Sequence, residues 1–200
     1  MTWVQTESGK AFDLLAPVSR DVDFTNDVAP SLAKINRFSG HTRGWIGYSV
    51  AQHSVLGAEE IFKETGNQLL AAQFVLHDAH ETYIGDLATP TAQTLVRMIG
   101  PAFSPAIAEL KGRLDLAIYA AAGVPLPSPD AARAIRKMDL RMMLAERNGL
   151  MTKPPKPWAV DGMVVPAFVD PLDLQPWEAE VASSEWLDAY ERFVTVNVRH

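Results

Sequence analysis

Apolar residues recur along this chain at helical spacing over most of its length. The clearest run ends at Leu76: Leu69, Leu70, Ala71, Ala72, Phe74, Val75 and Leu76 are apolar nearly all round, as in a helix buried at the centre of a bundle. Asn67 stands before it as an N-cap, and the predicted helix carries His77, Asp78 and Glu81 near its carboxyl end. Upstream, Ser49-Val50-Ala51-Gln52 has capping-box spacing and predicts a helix from about Val50 to Glu64 that stops at Gly66, with His53 in its first turn. Ser104-Pro105 and Ser128-Pro129 each set a capping hydroxyl before a proline, predicting helices over about 105–122 and 129–148 that close at Gly123 and Gly149. Shorter helices are predicted over about 28–35, capped by Asn26, and 92–99, bounded by Gly100-Pro101. A final amphipathic helix at about 177–194 offers Trp177, Val181, Trp186, Tyr190 and Phe193 as its apolar stripe.

Two segments break the helical period. The first 25 residues mix Thr, Val, Phe and Asp around Ser8-Gly9-Lys10 and read as a short hairpin or extended arm. Residues 152–176 carry six prolines and cannot form one continuous helix. The fold class is therefore mainly α: a helical bundle with a short N-terminal extended or hairpin segment and a proline-rich C-terminal arm ending in a helix. One domain over 1–200 is expected, with its core at about 26–150 and an extension at 151–200.

Composition narrows the chemistry. Two hundred residues, 48% hydrophobic and 21% charged, are enough for one buried core. A formal net charge of −6 disfavours the backbone of a nucleic-acid polymer and favours small substrates. Without cysteine there is no thiolate ligand or nucleophile, so any metal must be held by nitrogen and oxygen. No apolar run has membrane-spanning length and no signal-like start is visible, so no membrane partner and a cytoplasmic location are expected.

Against this background the polar residues on the predicted helices stand out. His53, the pair His77-Asp78, and Asp139 lie on three separate helices, and two imidazoles with two carboxylates make a divalent-metal set with coordination positions left open for water and substrate. Asp139 falls on a largely apolar face with Ala132, Ile135, Met142 and Met143, where a lone buried carboxylate is costly unless a cation accompanies it. Glu81 follows His77 by four residues and Asp78 by three, which sets it beside whatever they bind, in place for a proton-handling group. His80 is read as a surface or supporting residue turned away from His77. The remaining imidazoles are His41, His80 and His200.

His53, His77-Asp78 and Asp139, spread over a helical bundle, resemble the ligand signature of the HD-domain metal-dependent phosphohydrolases. The match covers about 30–150. Within that group, Ile35-Asn36-Arg37-Phe38, Ser49-Val50-Ala51-Gln52-His53-Ser54 and His77-Asp78-Ala79-His80-Glu81 with Gly85-Asp86-Leu87-Ala88-Thr89-Pro90 look like the YfbR-like 5'-deoxynucleotidases and their phage-associated relatives. The resemblance implies one divalent ion (Mn, Co, Zn, Mg, Ni or Fe) on His53, His77, Asp78 and Asp139. It makes Glu81 the residue that orients or deprotonates the attacking water and Arg37 a phosphate contact, and it places Asp86 in sugar recognition. Phe38 stands where that subgroup often has tryptophan near the nucleoside, which leaves sugar and base preference open.

The implied activity is hydrolysis of a deoxynucleoside 5'-monophosphate. The alternatives are release of triphosphate or pyrophosphate from a deoxynucleoside triphosphate, and a non-catalytic nucleotide-binding module. Alarmone hydrolysis is disfavoured because, as the resemblance implies, enzymes of that kind usually follow this glutamate with aspartate, and Thr82 stands here. The C-terminal arm, with Trp158, is left to shape a substrate pocket or a homodimer interface.

Overall fold

The computed structural model describes residues 2–195, so His200 lies outside the described residues. The amino terminus is a hairpin in which β1 (Trp3–Gln5) pairs antiparallel with β2 (Ala11–Asp13), Val4 opposite Phe12. Phe12 is fully buried and stacks on Tyr83 with ring centroids 3.7 Å apart, while the Ser8 backbone N–H and hydroxyl both donate to the buried Asp27 carboxylate. Two strands alone would be marginal in water, and these contacts fasten them to the bundle.

The helices follow in chain order: α1 (Ala29–Lys34), α2 (Val50–Thr65), α3 (Gln68–Leu76), α4 (Glu81–Ile84), α5 (Thr89–Ile99), α6 (Phe103–Ala122), α7 (Pro129–Leu150) and α8 (Ala179–Ala189). The fold is mainly α with one short N-terminal hairpin. No helix among the described residues is long and apolar enough to cross a membrane.

Local chemistry accounts for most boundaries. Ser49 and Asn67 accept from the backbone N–H of Gln52 and Leu70, and Gly66 closes α2 in the left-handed conformation with φ 64° that a Cβ disfavours. Ser128 caps α7 through the Ala131 N–H. Three expected signals act differently. Asn26 does not open α1: Asp23 caps a wider π-type turn, Phe24–Val28, that leads into it. Ser104 lies inside α6, which begins at Phe103 without a side-chain cap. Gly149 lies within α7 rather than ending it, and a Cβ there would press on Leu174 of the arm, so its smallness serves packing.

The arm is fastened to the core by Gln52. Its amide donates to the Asp173 and Gln175 carbonyls and its oxygen accepts from the Trp177 N–H, so only the Ser49 half of the expected capping box forms. Beyond it α8 packs on α1 and α2, and Trp186 and Phe193 enter the same buried cluster as α2 and α3. Val181, expected on the apolar stripe, is exposed.

The pair α2/α3 forms the floor of the site. Phe74 of α3 fits over Gly57 of α2 so closely that any Cβ at 57 would overlap its ring. The same ring touches His53 and His77, with centroids 5.7 Å and 4.3 Å away. Gly57→Ala is therefore expected to destabilise the protein by about 1–3 kcal/mol through overpacking, read as a lower urea midpoint in unfolding curves. Unchanged stability would mean that Phe74 has room to move.

Candidate metal centre

The segment after α3 departs from the single helix expected to carry His77 through Glu81. The α-helix ends at Leu76, and the chain continues through i to i+3 hydrogen bonds: Ala79 N–H to Leu76 O, Glu81 N–H to Asp78 O, Thr82 N–H to Ala79 O. At three residues per turn, positions i and i+3 eclipse, so Glu81 lies over Asp78. His77 and Asp78 point from this tight turn towards His53, in the first turn of α2, and Asp139, in the middle of α7.

One ligand atom each from His53, His77 and Asp139 lies within 4.8 Å of the others. His53 Nε2 is 3.2 Å from Asp139 Oδ1, and His77 Nε2 is 3.1 Å from Asp78 Oδ2, which also lies 4.0 Å from His53 Nε2. Two ligands at right angles on one ion, each about 2.1 Å from it, would stand about 3 Å apart.

The imidazoles are oriented to present Nε2. His53 Nδ1 lies 2.6 Å from Glu146 Oε1, and His77 Nδ1 lies 2.7 Å from the Phe74 carbonyl; both acceptors favour an Nδ1–H and leave the Nε2 lone pair directed at the carboxylates. Both Nε2 atoms are buried and have no hydrogen-bond partner, despite the nearby carboxylate oxygens. Their distances satisfy an ion pair, but the alignment does not satisfy a hydrogen bond. These residues fit a divalent cation.

Without a cation, protons take part of its place. Burial opposes a charge on His77, but the Asp78 carboxylate beside it outweighs this and pushes its pKa up to about 9. Burial opposes ionisation of Asp78 as well, yet His77, His53 and Arg37 hold it well below the usual carboxylate range. A cation bound here replaces the imidazole proton.

Glu146, fully buried on α7, was not among the expected site residues, and it organises the centre. Oε1 meets His53 Nδ1 and Oε2 accepts from Arg37 Nε at 3.0 Å. Its position seven residues after Asp139, two turns along one helix face, was the available signal. Arg37 is held next to α2 by the bonds Arg37 N–H to Tyr48 O and Val50 N–H to Ile35 O. Its two terminal nitrogens stand 3.7 Å from Asp78 and 3.6 Å from Asp139, too far for hydrogen bonds but close enough for charge to act.

Phe38 and Ser39 both have positive φ, 55° and 52°, which is strained backbone for residues with a Cβ. Phe38 faces Trp158 of the arm at 6.4 Å between centroids, and Arg147 lies over Trp158 at 5.0 Å. Asp139 is less enclosed than its apolar helix face implies: its side chain is 41% exposed and opens the centre to solvent.

Glu81 is buried. That burial, reinforced by the charges of Asp78 and Asp86, pushes its carboxyl up to about 8. Asp86, half-buried, is also raised by burial, with Arg37 pulling the other way. Lys111 of α6 lies close enough to lower both. His80 is not at the surface; it is buried beside Asp78 and Glu81, with Nδ1 on Asp115. His41 is exposed. A separate open cavity of about 620 Å³, lined in part by Leu15, Val18, Arg20, Arg113 and Leu116, has no imidazole or carboxylate in its wall and shares no residue with this centre.

No family model matches the chain. It is similar to the uncharacterized protein RCAP_rcc00048 of Rhodobacter capsulatus, 37% identical over 144 residues that cover 68% of this chain and 67% of the relative. It is also similar to the uncharacterized protein YfdR of Escherichia coli K12, 29% identical over 180 residues, 90% of each chain.

Proposed function

We propose that this chain, which belongs to the same family as the Rhodobacter capsulatus protein, is a cytoplasmic HD-type phosphohydrolase that removes phosphate from deoxynucleoside 5'-monophosphates. The observation that carries the reading is the pair of buried, unpartnered Nε2 atoms of His53 and His77 facing Asp78 and Asp139, with the buried Glu81 carboxyl above Asp78. His53, His77, Asp78 and Asp139 would hold a divalent ion, which would supply Lewis acidity towards a water and a phosphoryl oxygen. Glu81 takes the proton from the attacking water. Burial suits it to that task, because a base with its pKa near the working pH transfers protons most effectively.

Arg37 turns its terminal nitrogens to the phosphate as negative charge grows there; Glu146 on Nε keeps the guanidinium plane in place. Asp86 accepts from the sugar hydroxyl, and Phe38 with Trp158 forms an aromatic wall for the nucleoside. Hydrolysis of nucleoside mono-, di- and triphosphates is the test, run on protein stripped by a chelator and reloaded with Mn²⁺, Co²⁺, Zn²⁺ or Mg²⁺. The expected result is phosphate release from deoxynucleoside monophosphates only after reloading, with both metal and activity lost in Asp78→Ala. Release of triphosphate or pyrophosphate from deoxynucleoside triphosphates instead would move the assignment to that alternative. Absence of any hydrolysis would leave the nucleotide-binding module.

A further inference from the structure

His80 is a buried imidazole that the proposed reaction does not use. Its Nδ1 lies 2.9 Å from Asp115 Oδ1, and its Nε2 is buried without a hydrogen-bond partner. That repeats the arrangement of His53, whose Nδ1 meets Glu146 and whose Nε2 is likewise unpartnered. An imidazole anchored through one nitrogen to a carboxylate, with the other nitrogen directed into a polar interior, is the usual dress of a metal ligand. A ring nitrogen of His80 and one carboxylate oxygen each from Asp78 and Glu81 lie within 4.8 Å of one another, and Oε2 of Glu81 is also buried and unpartnered. The tight turn produces this grouping, because its i to i+3 bonds stack Glu81 over Asp78 with His80 between them in sequence.

We propose that Asp78, His80 and Glu81 form a second divalent-cation site, adjacent to the first and sharing Asp78 with it. The set has one nitrogen and two carboxylates, which suits Mn²⁺, Co²⁺, Fe²⁺ or Zn²⁺. Asp78 is the natural shared ligand: its Oδ2 is already 3.1 Å from His77 Nε2, and its carboxylate also belongs to the second cluster. Asp115, partly open to solvent on α6, orients the His80 ring from outside. Glu81 gives one oxygen to this cation and keeps the other for the attacking water. Paired cations can hold the attacking and the leaving oxygen of a phosphoryl group at once.

The site is tested on the full chain with the metal alone. Metal-free protein is titrated with Mn²⁺ or Co²⁺ by equilibrium dialysis and calorimetry. The wild type is expected to bind two equivalents, His80→Asn one, and His53→Ala to lose the equivalent that His80→Asn retains. Asp115→Asn should weaken the second equivalent by about 10–100-fold and leave the first unaltered. Binding of a single equivalent by the wild type, or retention of both by His80→Asn, would overturn the second site. The wild-type stoichiometry decides even if a variant fails to fold. It is also independent of hydrolysis, so loss of the phosphohydrolase reading and loss of this site would be seen separately.

Discussion

Glu146→Ala is expected to have the largest effect on stability, a loss of about 3–5 kcal/mol, because it removes one partner of a buried charge pair and leaves the other in place. Arg37 is mostly enclosed, its side chain 12% exposed, with its Nε on the fully buried Glu146 Oε2. Asp78 and Asp139 lie 3.7 Å and 3.6 Å from its terminal nitrogens, but once a cation is bound those carboxylates belong to it, and Glu146 remains the principal counter-charge. The substitution also frees His53 Nδ1, so the ring loses the contact that selects its tautomer. Metal affinity should fall by about 10–100-fold in whatever fraction stays folded. Urea unfolding followed by circular dichroism, with a parallel metal titration, measures both. Glu146→Gln removes the charge with little change in shape, and it should recover part of the stability but less of the affinity. A Glu146→Ala protein within about 1 kcal/mol of the wild type would show that Asp78 and Asp139 suffice to hold Arg37.

Glu81→Ala is expected to have the largest effect on turnover, a fall of about 10²–10⁴-fold, the range for removal of a positioned general base. The ion on His53, His77, Asp78 and Asp139 should remain, which separates this variant from Asp78→Ala. The sign of the pH dependence follows from the base role. Burial, with Asp78 and Asp86 nearby, pushes Glu81 up to about 8 in the metal-free chain, and bound cations draw it down from there. Only the ionised carboxylate accepts a proton, so wild-type kcat/KM should drop as pH falls through that pKa, at or below about 8. The residual activity of Glu81→Ala should lack this acid limb. Undiminished turnover with equal metal content would remove Glu81 from the mechanism.

The two predictions differ in how far their residues could be read without coordinates. Glu81 stands out in the chain because of its offset from His77 and Asp78. An α-helix would put both i+3 and i+4 beside i, whereas the turn that forms puts i+3 over i. The difference leaves Glu81 beside Asp78 and buries His80, which an α-helix would turn away from His77. Glu146 has only a faint mark, its place seven residues after Asp139 on one helix face. A glutamate near the end of a charged amphipathic helix usually faces water, and only the approach of Arg37 and His53 from distant parts of the chain makes its burial tolerable.

The same limit applies to the arm. Its prolines announce a break in helix, and the Trp186 and Phe193 stripe announces a packed helix after it. Nothing local announces that Gln52 will leave its capping position to bind residues 173, 175 and 177. That choice is made by whatever main chain lies opposite once α8 has docked.

What the sequence by itself determined is the longer helices and the chemistry they carry: caps, glycine stops and apolar periods act over a few residues, and the absence of cysteine limits any metal to nitrogen and oxygen ligands. Only the tertiary structure decided which nitrogen of each imidazole is free, that Asp139 is open to solvent, that Glu146 orders the centre, and that His80 joins Asp78 and Glu81. Periodicity reports the face a residue occupies on its own element. Distances between elements are set by packing, through contacts such as Phe74 on Gly57, and site chemistry depends on those distances to within a few tenths of an ångström.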